Sequence, residues 1–115
     1  MRILIADDEN SLRELLADFL IAKGHEVVSA KDGAEALRIF LNDEGEFDYV
    51  ITDYQMPRKN GVVLIMDIRK AVPGQKCILV TGDPPQLSKA VREDAGEFPV
   101  LRKPYDRTEL LGLLK

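Results

Sequence analysis

Five short apolar runs, each followed by a segment with helical spacing, divide this chain from end to end, and that alternation limits the fold more than any single residue does. The runs are "RILIA", "EVVSA", "DYVITD", "KCILVTG" and "PVLRKP". Within them "ILIA", "YVI" and "CILV" are continuous, without the polar alternation of a strand that faces water on one side. Between the runs, "SLRELLADFLIAKG" places Leu12, Leu15, Leu16, Phe19 and Leu20 on one helical face, with Ser11 and Glu14 as a capping box and Gly24 as a stop. "DGAEALRIFLN" repeats Ala36, Leu37, Phe40 and Leu41 behind a second box at Asp32 and Glu35. A third helix is expected from Gly61 to Ala71, with Val62, Leu64, Ile65 and Ile68 inward. Asp83, Pro84 and Pro85 read as the N-cap and first turn of a fourth, fading near Gly96. Asp106 and Glu109 open a last helix through Leu110, Leu113 and Leu114. Strands separated by helices of roughly 10 to 14 residues need crossover connections, so the expected fold is α/β, a parallel sheet covered on both faces.

Length and charge narrow the function. At 115 residues and 45% apolar, with no long Gly/Ser/Pro-rich stretch, the chain reads as one domain spanning residues 1–115. A net charge of -4 without an Arg/Lys cluster argues against direct nucleic-acid binding. "MRILIADDEN" is too short and acidic for a secretory signal, and no apolar run is long enough to cross a bilayer, so the expected location is cytoplasmic. The single cysteine, Cys77, excludes an internal disulfide and reads as a small buried thiol.

In an open parallel sheet, sites form beyond the carboxyl ends of the strands. The residues expected there are Asp7 and Asp8, Asp53, Thr81 and Lys103: three carboxylates, a hydroxyl and an ammonium converging from distant parts of the chain. Clustered carboxylates repel unless a proton or cation intervenes. Oxygen donors with no His or Cys suit Mg²⁺, or Mn²⁺ in its place. Such an ion, with Lys103 as a second positive centre and Thr81 as a donor, would offset charge on a transferring phosphoryl group. Asp53 is then placed as a carboxylate nucleophile that becomes an aspartyl phosphate.

These residues, taken with "ILIADDE", "DYVITDYQMPRKNG", "ILVTG" and "LRKPYD", resemble the receiver domain of two-component response regulators over essentially the whole chain. The resemblance implies a flavodoxin-like (βα)5 fold with strand order 2-1-3-4-5. It also implies a phosphoryl group taken from a histidine kinase or histidine phosphotransfer domain. It assigns phosphorylation to Asp53, Mg²⁺ organisation to Asp7 and Asp8 with Asp53 and the backbone carbonyl of Gln55, phosphoryl contacts to Lys103 and Thr81, and a cis bond between Lys103 and Pro104. Pro57 and Gly61 match the loop after the phosphoacceptor. The implied partners are that kinase or phosphotransfer protein and a downstream protein or fused output domain, with the chain a monomer or weak dimer and no membrane association.

One departure concerns output. Receivers commonly carry Tyr or Phe three residues before the lysine, where this chain has Val100, a stiff β-branched residue that cannot make a large aromatic reorientation. Phe98 reads as core or interface. His25 is expected on the opposite edge without a partner for chemistry, and Arg102 as a bystander to Lys103. Gly82 leaves the pocket open to a donor while also turning the chain after a strand. Two other classes stay open: a pseudo-receiver that only binds protein, which predicts a missing acidic or lysine residue where none is missing, and a phosphohydrolase, for which the chain has no segment to enclose a substrate. The reading leaves open whether the natural protein is this receiver alone or carries it within a transcription factor, hybrid kinase or regulated enzyme.

Overall fold

Continuous apolar runs become strands here because both of their faces are covered. The computed structural model describes residues 1–114; Lys115 lies outside the described residues. Strands β1 (Arg2–Ala6), β2 (Glu26–Ala30), β3 (Tyr49–Asp53), β4 (Cys77–Thr81) and β5 (Val100–Arg102) alternate with helices α1 (Asn10–Ala22), α2 (Gly33–Asn42), α3 (Gly61–Ala71), α4 (Lys89–Ala95) and α5 (Arg107–Leu113). All strand pairs are parallel and the order is β2-β1-β3-β4-β5. This is the α/β (βα)5 arrangement expected of the chain.

Side chains alternate across the sheet, so each strand feeds two apolar clusters. Leu4, Val50 and Leu79 pack with Phe40 of α2 and Leu64, Ile65 and Ile68 of α3. Ile3, Ile5, Ile51, Ile78 and Val80 pack with Leu20 of α1 and Leu110 of α5. Asp7 continues the Ile3, Ile5 row and Asp53 the Ile51 row, so both carboxylates crown the layer shared with α1 and α5.

Caps explain most of the helix boundaries. Asp32 accepts from the Glu35 amide at 2.8 Å, Asn60 from the Val63 amide at 2.9 Å, and Asp106 with Glu109 forms the expected capping box. The Ser11–Glu14 box does not form. Helix α1 starts two residues earlier, after Glu9, with no side-chain cap, because the turn before it is held instead by Asp7, whose Oδ1 accepts from the Glu9 amide at 2.9 Å. Leu12 and Leu15, expected inward, are 41% and 56% exposed.

The fourth helix also starts later than its prolines imply. Asp83 is not a cap; residues 83–87 are non-helical, and Ser88 caps α4 by accepting from the Val91 amide at 3.2 Å. A residue before proline is pushed away from helical geometry, which applies to both Asp83 and Pro84. The helix ends at Gly96, whose φ of 75° suits glycine. With seven residues each, α4 and α5 are shorter than the spacing between strands implied. Arg69 of α3 secures the connection into β5, donating to the carbonyls of Gln75 (3.1 Å), Ala95 (2.6 Å) and Glu97 (2.7 Å).

Candidate functional site

A strand that leaves a buried sheet carries its last side chain to the rim, and four strands do this at one edge. Asp7 and Asp8 follow β1, Asp53 ends β3, Thr81 ends β4 and Lys103 follows β5. One carboxylate oxygen from each of Asp7, Asp8 and Asp53 lies within 4.8 Å of the others. Lys103 Nζ is 3.1 Å from Asp53 Oδ1, in a pair whose side chains are 30% and 12% exposed.

The charges respond to this crowding. Burial, reinforced by Asp53, raises the Asp7 carboxyl above the ordinary carboxylate range against the opposing Glu9 amide and Lys103. Burial pulls Lys103 down, but its bond to Asp53 and the fields of Asp53, Asp7 and Glu9 outweigh that and hold the ammonium above its usual value. A half-buried group of carboxylates that raises a neighbour's proton affinity is suited to a divalent cation, and three hard oxygen donors fit that class of ion.

An open cleft of about 720 Å³ joins Asp8, Asp53, Gln55, Pro57, Thr81, Gly82 and Lys103. Thr81 is buried, and its Oγ1 both donates to the Asp83 carbonyl and accepts from the Asp83 amide at 3.2 Å, so its hydroxyl is engaged with its own turn. A Cβ at Gly82 would meet only Lys103 Cβ, at 3.9 Å, so the cleft has room beside Thr81.

The remaining predicted residues lie around the cleft rather than in it. Gly61 sits beneath it: a Cβ there would come within 2.3 Å of the Asp53 carbonyl oxygen and 2.7 Å of Leu79 Cδ1. Pro104, after a cis Lys103–Pro104 bond, lines a second cavity between α1 and α5 that shares Asp53 and Lys103 with the cleft. Val100 lines a groove against α4 and is 43% exposed. Phe98 packs partly buried on the core under Arg69, and Cys77 is buried, its thiol pushed up to about 11 by burial. His25 is far from the cluster, with Nδ1 3.1 Å from the Met1 amine, and Arg102 is exposed.

Three supports were not anticipated. Arg13 of α1 donates through Nη1 to the Asp7 carbonyl at 2.7 Å and through Nη2 to Asn10 Oδ1 at 2.5 Å, bracing the loop that carries Asp7 and Asp8. A lone arginine among leucines, five residues after an acid pair, was the available signal. Arg58, at φ 70°, donates to the buried Asp32 at 3.2 Å and ties the loop after Asp53 to the start of α2. Lys59 pairs with Asp67 beside it.

Comparison with known proteins agrees with this geometry. A family model described as the response regulator receiver domain matches residues 3–115. The chain is 38% identical over 110 residues to the transcriptional regulatory protein GlrR of Escherichia coli, covering 94% of this chain and 24% of GlrR, so it spans about a quarter of that relative's length. Among solved structures it is similar to a response regulator receiver domain protein from Clostridium thermocellum, with 32% identity, a TM-score of 0.88 and coverage of 98% of this chain and 90% of that one. It is likewise similar to the response regulator TrrA from Thermotoga maritima, solved in complex with Mg(2+)-BeF, with 36% identity, a TM-score of 0.77 and 98% coverage of both.

Proposed function

The chain belongs to the response regulator receiver family of phosphoacceptor domains, and on that premise we propose that Asp53 is the carboxylate that takes the phosphoryl group. The observation that carries the assignment is that Asp53 alone belongs to both the carboxylate trio and the lysine pair. A carboxylate oxygen of Asp53 attacks phosphorus as the bond from phosphorus to the donor's leaving group breaks; a phosphohistidine nitrogen leaves with that electron pair. Lys103, already on the accepting carboxylate, keeps an anionic oxygen as partner throughout and stabilises the transferring group. Thr81 can exchange its turn contacts for a phosphoryl oxygen.

Asp7, Asp8, Asp53 and the Gln55 carbonyl would hold Mg²⁺, with Mn²⁺ able to substitute, and the ion would offset charge on the phosphoryl group. Pro57 and Gly61 shape the loop that keeps the Gln55 carbonyl at the cleft, and Gly82 leaves the donor's path open. The donor is a histidine kinase or histidine phosphotransfer domain, and the output is a downstream protein or a fused domain. Residues 1–115 act as one receiver, cytoplasmic and monomeric or weakly dimeric. The net charge of -4 supports a chain that does not itself contact nucleic acid. Among the described residues no helix is long and apolar enough to cross a membrane.

Intact-mass measurement under conditions that preserve acyl phosphate tests the assignment. With Mg²⁺ and a small phosphodonor, the wild type gains one phosphoryl group and Asp53→Asn does not; equal uptake by the variant would remove Asp53 from the role. In a parallel ion titration, Asp8→Ala weakens binding and His25→Ala leaves it unchanged. Equal affinities would reject the ligand set.

A further inference from the structure

The α1 and α5 layer closes incompletely. Between these helices lies a cavity of about 460 Å³ floored by Ile51 and Val80 of the sheet, with Leu12, Leu15, Leu16 and Phe19 along α1 and Leu110 on α5. Its size and apolar walls match those of small-molecule sites. Leu12 and Leu15, 41% and 56% exposed, form the open side.

Four polar groups other than Tyr105 reach the cavity, and three are engaged. Asp53 and Lys103 pair with each other at 3.1 Å, and Asp7 accepts from the Glu9 amide at 2.9 Å within the carboxylate trio. The fourth, Arg107, lies with its guanidinium 4.8 Å from the centre of the Phe19 ring and has no ion-pair or hydrogen-bond partner among the described residues. Tyr105 lines the same cavity, and its hydroxyl also lacks a protein partner there. Burial raises the Tyr105 phenol, so it remains a donor at neutral pH. Arg107 is exposed and Tyr105 half-buried, so both donors are open to water beside an apolar cavity, and together they suit one head group, an oxyanion. The carboxylates at the upper end repel such a head and set it at the Arg107 end.

We propose that this cavity binds a medium-chain amphiphile with an anionic head, its chain lying between α1 and α5 and its head held by Tyr105 and Arg107. Because Asp53 and Lys103 line both this cavity and the open cleft, an occupied cavity also alters phosphoryl uptake. That consequence rests on the proposed function; the binding itself does not.

Decanoate, kept below its micellar concentration, is titrated into unphosphorylated, ion-free protein carrying methyl labels. Saturable shifts are expected at Leu12, Leu15, Leu16 and Leu110, with octanoate weaker on the order of tenfold for two fewer methylenes. Arg107→Gln weakens decanoate by about tenfold and leaves decanol binding unchanged, and Tyr105→Phe weakens decanoate to a smaller extent. Absence of saturable shifts, shifts centred on the exposed Ile21 and Leu41 instead, or equal decanoate affinity in Arg107→Gln would overturn the proposal. Since no phosphoryl transfer enters the titration, failure to bind decanoate and failure to phosphorylate Asp53 are separate results.

Discussion

Replacing Gly61 with alanine tests how closely the fold holds its candidate site. The added methyl would lie 2.3 Å from the Asp53 carbonyl oxygen, 2.7 Å from Leu79 Cδ1 and 3.0 Å from the Asp53 carbonyl carbon. The first contact is about 1 Å short of ordinary van der Waals separation and its partner is backbone, so no side-chain rotation relieves it. Either the start of α3 retreats, stretching the 2.8 Å bond from the Gly61 amide to the Tyr54 carbonyl, or the end of β3 moves. Overpacking of this kind costs about 1–3 kcal/mol, and helix propensity at residue 61 returns less than about 1.

Gly112 provides the control. It lies in α5, and a Cβ there would meet nothing within 4 Å, so alanine should stabilise by roughly 0.5–1 kcal/mol. Urea unfolding followed by far-ultraviolet circular dichroism suits a chain without tryptophan. Gly61→Ala is expected to lower the midpoint and phosphoryl uptake together, while Gly112→Ala raises the midpoint. A Gly61→Ala unfolding free energy within about 0.5 kcal/mol of wild type would refute the reasoning, because it would mean that α3 and β3 can separate freely at this contact.

Arg13→Ala should weaken divalent-ion binding by about tenfold in a calorimetric titration while the protein stays folded, with Lys at 13 restoring part of the loss, because the bond to the Asp7 carbonyl orients a ligand-bearing loop. Arg69→Ala should cost about 2–3 kcal/mol and expose the amides of residues 95–98 to hydrogen exchange before global unfolding, since three carbonyls lose one guanidinium. Asp7 supplies a pH test: its carboxyl is raised by burial and by Asp53, so the ion-free folded state binds the proton more tightly than the unfolded chain. Ionisation at neutral pH therefore subtracts stability, and the deficit shrinks as pH falls through the folded value and vanishes below the unfolded one, about 3.9. Asp7→Asn should stabilise the ion-free protein at neutral pH but not in acid, and Mg²⁺ should stabilise wild type more than the variant.

Much of this was legible because strand burial and strand-end chemistry are local in sequence. Ile3 to Ala6 and Cys77 to Val80 are apolar in unbroken runs because helices cover both sheet faces, and each run hands the next polar residue to the same edge. Cap patterns were less reliable where a neighbour competed. Ser11 and Glu14 satisfy the capping-box spacing, yet Asp7 takes the Glu9 amide and Arg13 takes the Asp7 carbonyl, which starts α1 earlier. Asp83 with two prolines satisfies the first-turn rule, yet the Thr81 hydroxyl binds both backbone polar groups of Asp83 and Ser88 offers a later cap. Gly61 was read as a turn residue, whereas its requirement is the close approach of the Asp53 carbonyl. Arg13 and Arg69 act on carbonyls six or more residues away through long polar side chains, and such contacts leave no periodicity to read.

The route from a phosphorylated Asp53 to the rest of the domain can be argued from Thr81. Its hydroxyl is spent on Asp83, at 3.2 Å to both the carbonyl and the amide. A phosphoryl oxygen on Asp53 would offer a charge-assisted acceptor, stronger than the neutral contacts it replaces, and the proposed response is that the hydroxyl turns and releases the backbone of Asp83. Residues 83–87, non-helical and followed by the Ser88 cap of α4, are the next segment along the chain and the one expected to respond first. Val100 stands apart from this route: it pairs with Leu79, two residues before Thr81, is 43% exposed, and has no aromatic ring to swing. A ligand shifts two states only by its differential affinity for them, and the moving contact we propose is the threonine hydroxyl. Backbone amide shifts with and without a stable phosphoryl mimic should therefore change at residues 83–88 in wild type, stay still in Thr81→Ala, and change normally in Val100→Tyr. A large wild-type response in β5 that persists in Thr81→Ala would defeat the threonine route, because the signal would then reach β5 without the Thr81 hydroxyl.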